Sequence, residues 1–203
     1  MSTATSFSTP DLARQRGLLV SPTLAGFCIT WFLFLVYSFC HAPIPAVNEP
    51  HYLTKAKHYW DANWCVGDFF LDSSNTHLVF YQTVGWLTQL LSLSQTAFVA
   101  RLIGYGLLAY GWNSLTTRIV QDKSAGIVSA VFFLLLASCG NLSGEWVVGG
   151  IEAKVFAYAF LLIGFSFALG GRWLPAGVSF GLAVAFHPLV GLWNAVAIGV
   201  ALA

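Results

Sequence analysis

Charge is what this sequence has least of. Asp, Glu, Lys and Arg together make up 8% of its 203 residues, against about 25% in an ordinary soluble domain. Hydrophobic residues reach 57% and the mean hydropathy is +0.73. A soluble fold of this length could not hide that much apolar surface, so composition points to lipid as the surrounding medium. The net charge is +1, and the chain has neither a basic run nor a Gly-rich phosphate loop. It carries no footprint of a nucleic-acid partner. Its four cysteines, Cys28, Cys40, Cys65 and Cys139, follow no metal-ligand spacing. Cys40 and Cys65 fall on one side in the topology below and could pair there, or remain two free thiols. Internal repeats and low-complexity linkers are also missing.

What is there is a succession of apolar runs. Residues 1–17 form a polar tail with Arg14 and Arg16, and residues 18–40 are uncharged over about the length that crosses ~30 Å of hydrocarbon. A cleaved signal peptide would have an apolar core of only about 7–15 residues, and Tyr37-Ser-Phe-Cys40 is a poor lipobox. The two arginines put the N-terminus in the cytoplasm under the positive-inside rule. Further spans are expected at 97–117, 124–140, 153–170, 173–186 and 188–203, the last two separated by a turn or kink at His187-Pro188. Outer loops then cover 41–96 and 141–152. Residues 77–93 read as an amphipathic helix lying at the surface, with Val79, Phe80, Val84, Trp86, Leu87, Leu90 and Leu91 on one face and Ser94 placed to cap the next helix. Laying it flat keeps Arg118 and Lys123 inside. The expected fold is an all-α, polytopic membrane helical bundle of about five or six transmembrane helices, with short juxtamembrane helices in its outer loop. The apolar ending suggests the N-terminal part of a longer protein. A multi-pass protein of the bacterial inner (plasma) membrane is the expected setting, with the bilayer as partner and the oligomeric state open.

The scarce charge is concentrated. Residues 48–77 hold four of the eight acids (Glu49, Asp61, Asp68, Asp72), three of the five histidines (His51, His58, His77), and Lys55 with Lys57. Asn48-Glu49-Pro50 reads as a helix start, with Asn48 as cap and Pro50 in the first turn. The helix should run to about Trp60, with Leu53, Ala56 and Trp60 on a lipid-facing stripe and Tyr52, Lys55 and Tyr59 elsewhere. Glu49 is either a charge favouring the helix start or a functional carboxylate. Glu152 opens another helix in Gly149-Gly-Ile-Glu-Ala-Lys154, with the same two readings and Lys154 as a local partner. Glu145, beside Trp146, is a weaker candidate. Arg101, about one turn into its span, could snorkel to the surface, hold a phosphate, or pair with an outer carboxylate, as intramembrane ions usually do. His187 is either a satisfied core histidine or a site residue at an outer turn. The histidines and aspartates of the loop match no metal motif. The Asn141-Leu-Ser143 sequon lies too close to the membrane to carry weight.

These residues, in this order, resemble the N-terminal half of the GT-C membrane glycosyltransferases, the polyprenyl-phosphate-sugar-dependent class that includes protein O-mannosyltransferases and the aminoarabinose transferase of lipid A. The likeness rests on Asn48-Glu49 soon after span one, Tyr52 and the Ala56-Lys-His-Tyr-Trp60 helix, Gly67-Asp68-Phe69, His77-Leu78-Val79, Val99-Ala100-Arg101-Leu102, the basic segment 118–123, Glu152, and Gly181-Leu182 followed by His187, Pro188 and Gly191. It covers roughly residues 18–203. It implies transfer of a sugar from a polyprenyl-phosphate-linked donor to an acceptor hydroxyl on the outer face of the membrane. Glu49 and Glu152 would be the catalytic carboxylates, and Asn48, Arg101, His187 and Tyr52 the substrate contacts. A divalent cation is the cofactor it leaves open. Asn48 departs from the family's first acid, and His187 stands near a family lysine. A transporter component and a non-catalytic membrane scaffold are the competing readings.

Overall fold

The computed structural model describes residues 22–46, 48–140 and 147–202. Arg14, Arg16, the sequon and Glu145 lie outside the described residues. The elements in chain order are α1 (Leu24–His41), α2 (Glu49–Trp60), α3 (Leu78–Gln82), a 3-10 helix (Val84–Gln89), α4 (Leu93–Val120), α5 (Ala125–Cys139), α6 (Ala153–Leu169), α7 (Trp173–Phe186) and α8 (Pro188–Leu202). There is no strand among the described residues. The fold is all-α.

Helix α1 is uncharged for 18 residues and is capped by Thr23, whose Oγ1 accepts the Gly26 N–H at 3.0 Å. By length and composition it is one helix able to cross a membrane. Helices α4 and α5 pass the same test only as a pair, bent by 113°. Helices α6, α7 and α8 are apolar but shorter, at 17, 14 and 15 residues.

The long helices alternate in direction. Arg101, near the start of α4, reaches Ser38 and Ala42 at the end of α1. At the opposite end, a Cβ on Gly26 would lie 3.7 Å from the Lys123 carbonyl just beyond α4. Ser138 near the end of α5 meets Tyr37 near the end of α1. Arg118, near the end of α4, donates to Ser166 near the end of α6. His187, after α7, stacks on His77 ahead of α3. One end of the bundle therefore gathers α2, α3, the 3-10 helix and the 147–152 segment. The other carries Arg118, Lys123 and Arg172.

Several local expectations change. Helix α2 has the expected bounds, but Asn48 makes no side-chain cap bond. Leu53 and Ala56 face the protein, at 3% and 0% exposure. The cause is Gly85, which lets the 3-10 helix approach so closely that a Cβ there would stand 2.6 Å from the Ala56 Cβ. Trp60 is half-exposed and donates its Nε1–H to the Tyr81 carbonyl at 2.8 Å. Residues 77–93 do not form one amphipathic helix. The backbone breaks at Thr83 (φ −98°, ψ −80°), which turns Phe80, Tyr81, Gly85 and Thr88 inward. Trp86 and Leu90 remain outside. The cap of α4 is Ser92, not Ser94. Ser92 and Gln95 form a reciprocal capping box, the Ser-x-x-Gln pattern that satisfies two orphan N–H groups. The break between α7 and α8 falls at His187, as Pro188 requires. Cys40 and Cys65 are both free.

Helix α4 packs on α6 through Gly111. A Cβ there would sit 2.8 Å from the Ala159 carbonyl and 3.1 Å from Leu162. Gly111→Val should lower the stability of the detergent-purified protein by about 1–3 kcal/mol in thermal unfolding. Gly106→Ala, whose Cβ would meet only Trp31 at 3.5 Å, should leave it unchanged.

Candidate functional site

The end of the bundle that holds α2 contains a fully buried ion pair. Glu49 and Arg101 are both 0% exposed. Arg101 donates Nε–H to Glu49 Oε1 at 2.6 Å and Nη2–H to Oε2 at 2.7 Å, a bidentate arrangement. Glu49 Oε1 also accepts the Ile151 N–H at 2.7 Å, and Oε2 the Ala46 N–H at 2.9 Å. The remaining guanidinium nitrogen, Nη1, donates to the Ala42 carbonyl at 2.6 Å and to Ser38 Oγ at 3.0 Å. The Ser38 hydroxyl in turn donates a hydrogen bond to the Gly149 carbonyl. One turn along α4, the Tyr105 hydroxyl donates to the Gly149 carbonyl at 2.7 Å and accepts the Gly149 N–H at 3.0 Å. Gly150 is obligatory beside this network, since a Cβ would stand 2.5 Å from the Ala46 carbonyl and 3.0 Å from Glu49 Cγ. Four chain segments are thus bonded through one carboxylate and one guanidinium.

This geometry bears directly on Glu49 as a base. Each of its oxygens already accepts two hydrogen bonds from charged or backbone donors, which leaves no lone pair open to a substrate proton. The site assigned to Glu49 by resemblance is a structural junction, and Arg101 takes the pairing alternative rather than a phosphate.

Beside the junction lies a polar cavity of about 290 Å³, lined by His51, Tyr52, Lys55, Phe70, Ser73, Ser74, Thr76, His77 and Tyr81. Tyr52 brings its hydroxyl to 3.3 Å from His77 Nε2. The His77 ring stacks on that of His187, with centroids 5.0 Å apart. Burial pushes the His77 pKa below 6.5, and the nearby Phe186 carbonyl opposes this more weakly. The Tyr81 hydroxyl is pushed up, mainly by burial. At neutral pH His77 is therefore a neutral imidazole and Tyr81 a neutral phenol. Lys55 lines the cavity but is not free in it. Its ammonium, 2% exposed, donates to the carbonyls of Phe70, Leu71 and Ser73 at 2.6–2.8 Å and to Ser73 Oγ at 3.0 Å. It folds the 61–76 loop over α2. His58 and Asp72 tie the same loop at 3.1 Å.

The expected site residues thus fall into two groups. Glu49 and Arg101 belong to the junction, while Tyr52 and His187 meet through His77 at the cavity. Asn48 stands at the start of α2. Glu152 ends the segment whose Ile151 N–H bonds Glu49. It is 1% exposed, with Oε2 3.2 Å from Lys154 Nζ. Among the described residues no three His, Cys, Asp or Glu side chains gather as a metal site. The structure adds His77 to the expected pair of Tyr52 and His187. Tyr105 was legible as the i+4 neighbour of Arg101 on one helix face, whereas nothing local marked Lys55 as buried. No family model, curated protein or solved structure matches the chain.

Removing one partner of a buried pair strands the other charge, at about 3–5 kcal/mol. Glu49→Gln and Arg101→Met should each destabilise the protein by about that amount in denaturant or thermal melts. The double variant Glu49→Leu with Arg101→Met should recover much of the loss.

Proposed function

We propose that this chain acts as a multi-pass membrane transferase that moves a sugar from a polyprenyl-phosphate donor to an acceptor hydroxyl at the face carrying α2 and α3. The observation that carries the reading is the polar cavity at one end of an apolar bundle, lined by His77, whose ring stacks on that of His187 behind it. The exterior of that bundle supports a lipid setting. Leu24, Phe32, Phe132, Leu136, Leu174 and Trp193 are all more than 60% exposed, far more apolar surface than a soluble monomer presents. The alternation of the long helices, with Arg118, Lys123 and Arg172 at the end away from the cavity, supports an inner location for that end. The cavity's end would then lie at the outer surface.

In this reading His77 is the general base, not Glu49. A neutral imidazole can take the acceptor's proton as its oxygen attacks the anomeric carbon. The bond from that carbon to the phosphate oxygen breaks, and its electron pair leaves on the polyprenyl phosphate. Hydroxyls of Tyr52, Ser74 and Thr76, with His51, are the cavity's donors for the leaving phosphate. Lys55 is already consumed. Glu152 and Asn48 are not needed for the proton transfer. The exhaustion of Glu49 specifically favours a second reading, a non-catalytic membrane scaffold.

Transfer should be measured with the full-length protein in proteoliposomes supplied with polyprenyl-phosphate sugars. His77→Gln should slow it by about a hundredfold or more. The wild-type rate should be level at neutral pH and fall as acid protonates His77, with a midpoint below 6.5 because burial lowers that pKa. Folded wild-type protein that transfers no sugar from any donor would favour the scaffold. Sidedness is testable separately. With the other cysteines replaced, Cys65 should react with an impermeant thiol reagent from outside and Gln121→Cys only from inside. Labelling at position 121 from outside would sink the topology.

A further inference from the structure

We infer that the end of the bundle opposite the histidine cavity holds an anionic phospholipid, its phosphodiester between Arg118 and Arg172 and an acyl chain along the α1–α4 groove. This rests on the membrane reading above but concerns neither its cavity nor its chemistry.

Two recesses meet there. The smaller, of about 110 Å³, is lined by Pro22, Tyr110, Ser114, Arg118, Ser166 and Arg172, among others. At ~30 Å³ per water it has room for about three or four waters, enough for a phosphate group. The larger, of about 700 Å³, runs between α1 and α4 past Leu24, Phe27, Trp31, Ile103, Gly106 and Leu107, a volume within the usual range of ligand sites. Pro22 and Tyr110 line both, so the cationic recess adjoins the apolar groove. From Leu102 to Asn113 the groove's α4 wall is ~16 Å long at 1.5 Å per residue. The groove exists because Gly106 has no side chain beside the Trp31 ring, whose Nε1–H is itself bonded to the Leu102 carbonyl.

Charge selects the occupant. Among the described residues neither Arg118 nor Arg172 pairs with a carboxylate. Arg118 donates Nε–H to Ser166 Oγ at 2.8 Å, which fixes the guanidinium while leaving its other nitrogens for an anion. Arg172 is exposed and lies over the Phe167 ring at 4.8 Å. Asp122, the acid nearest in sequence to Arg118, is fully exposed and takes the Ser124 N–H and hydroxyl. A cationic recess adjoining an apolar groove at the cytoplasmic side is the shape and charge that an anionic lipid headgroup with its chain requires.

The test is native mass spectrometry of the full-length protein in detergent, with phosphatidylglycerol, phosphatidylcholine or inorganic phosphate added. Phosphatidylglycerol should be retained preferentially. Arg172→Gln, at an exposed position, should weaken that retention about fivefold. Gly106→Leu should abolish it by filling the groove, while Gly106→Ala retains it. Equal retention of phosphatidylcholine, or no effect of Arg172→Gln, would overturn the headgroup assignment. Phosphate competing with the lipid as well as phosphatidylglycerol itself would reduce the site to an inorganic anion site. A protein that integrates into membranes but shows no preference loses only this site. One recovered without detergent loses the membrane reading itself.

Discussion

The Glu49–Arg101 pair sets the arrangement on which the rest of this structure depends. An isolated charge in an apolar interior is prohibitive, and even a paired one is tolerated only when every remaining donor and acceptor is met. Here they are. The carboxylate receives two guanidinium and two backbone N–H groups, and the guanidinium is completed by Ser38 and Ala42. The demand for full satisfaction turns a pairwise attraction into a geometric constraint. It fixes the end of α1, the start of α2, the first turns of α4 and the approach to α6 at once, because each supplies a bond that the others cannot replace.

The direction of α2 follows from that constraint. With Glu49 anchored inward, the helix lies across the end of the bundle, and Leu53 and Ala56 press on the 3-10 helix through Gly85. Tyr52 and Lys55 are left facing the 61–76 loop and His77. Lys55 then obeys the same rule as Arg101, since a buried ammonium needs acceptors and the loop carbonyls at 70, 71 and 73 provide them. The loop's course is determined by a cation beneath it. The histidine cavity is the space left between these two satisfied charges.

Helix positions were largely legible in the sequence because long apolar runs, a proline and a polar break are local signals. The bounds of α2 and the interruption at His187-Pro188 came through for that reason. The fate of the polar residues was less legible, because it is decided by partners far along the chain. Glu49 reaches Ile151 across 102 positions and Arg101 across 52, and no periodicity within α2 reports those distances. The same blindness explains the stripe of Leu53, Ala56 and Trp60, whose apolar character suits lipid and protein equally until Gly85 shows which one is close. The 77–93 segment was misread because a helical wheel assumes an unbroken helix, and Thr83 breaks it.

Scarcity of charge narrows the chemistry that remains. Glu49 is held by Arg101, Lys55 by carbonyls, Asp72 by His58, and Glu152 stands against Lys154. Each of these groups would have to give up a buried or loop-closing bond before it could act on a substrate. His77 is tied into neither the Glu49–Arg101 pair nor Lys55, and burial lowers its pKa from the ordinary imidazole value. A reaction run there must therefore begin from neutral acids and bases and meet developing negative charge with hydroxyls and imidazole. Arg118 and Arg172, which pair with no carboxylate among the described residues, lie at the far end of the bundle and do not reach the cavity.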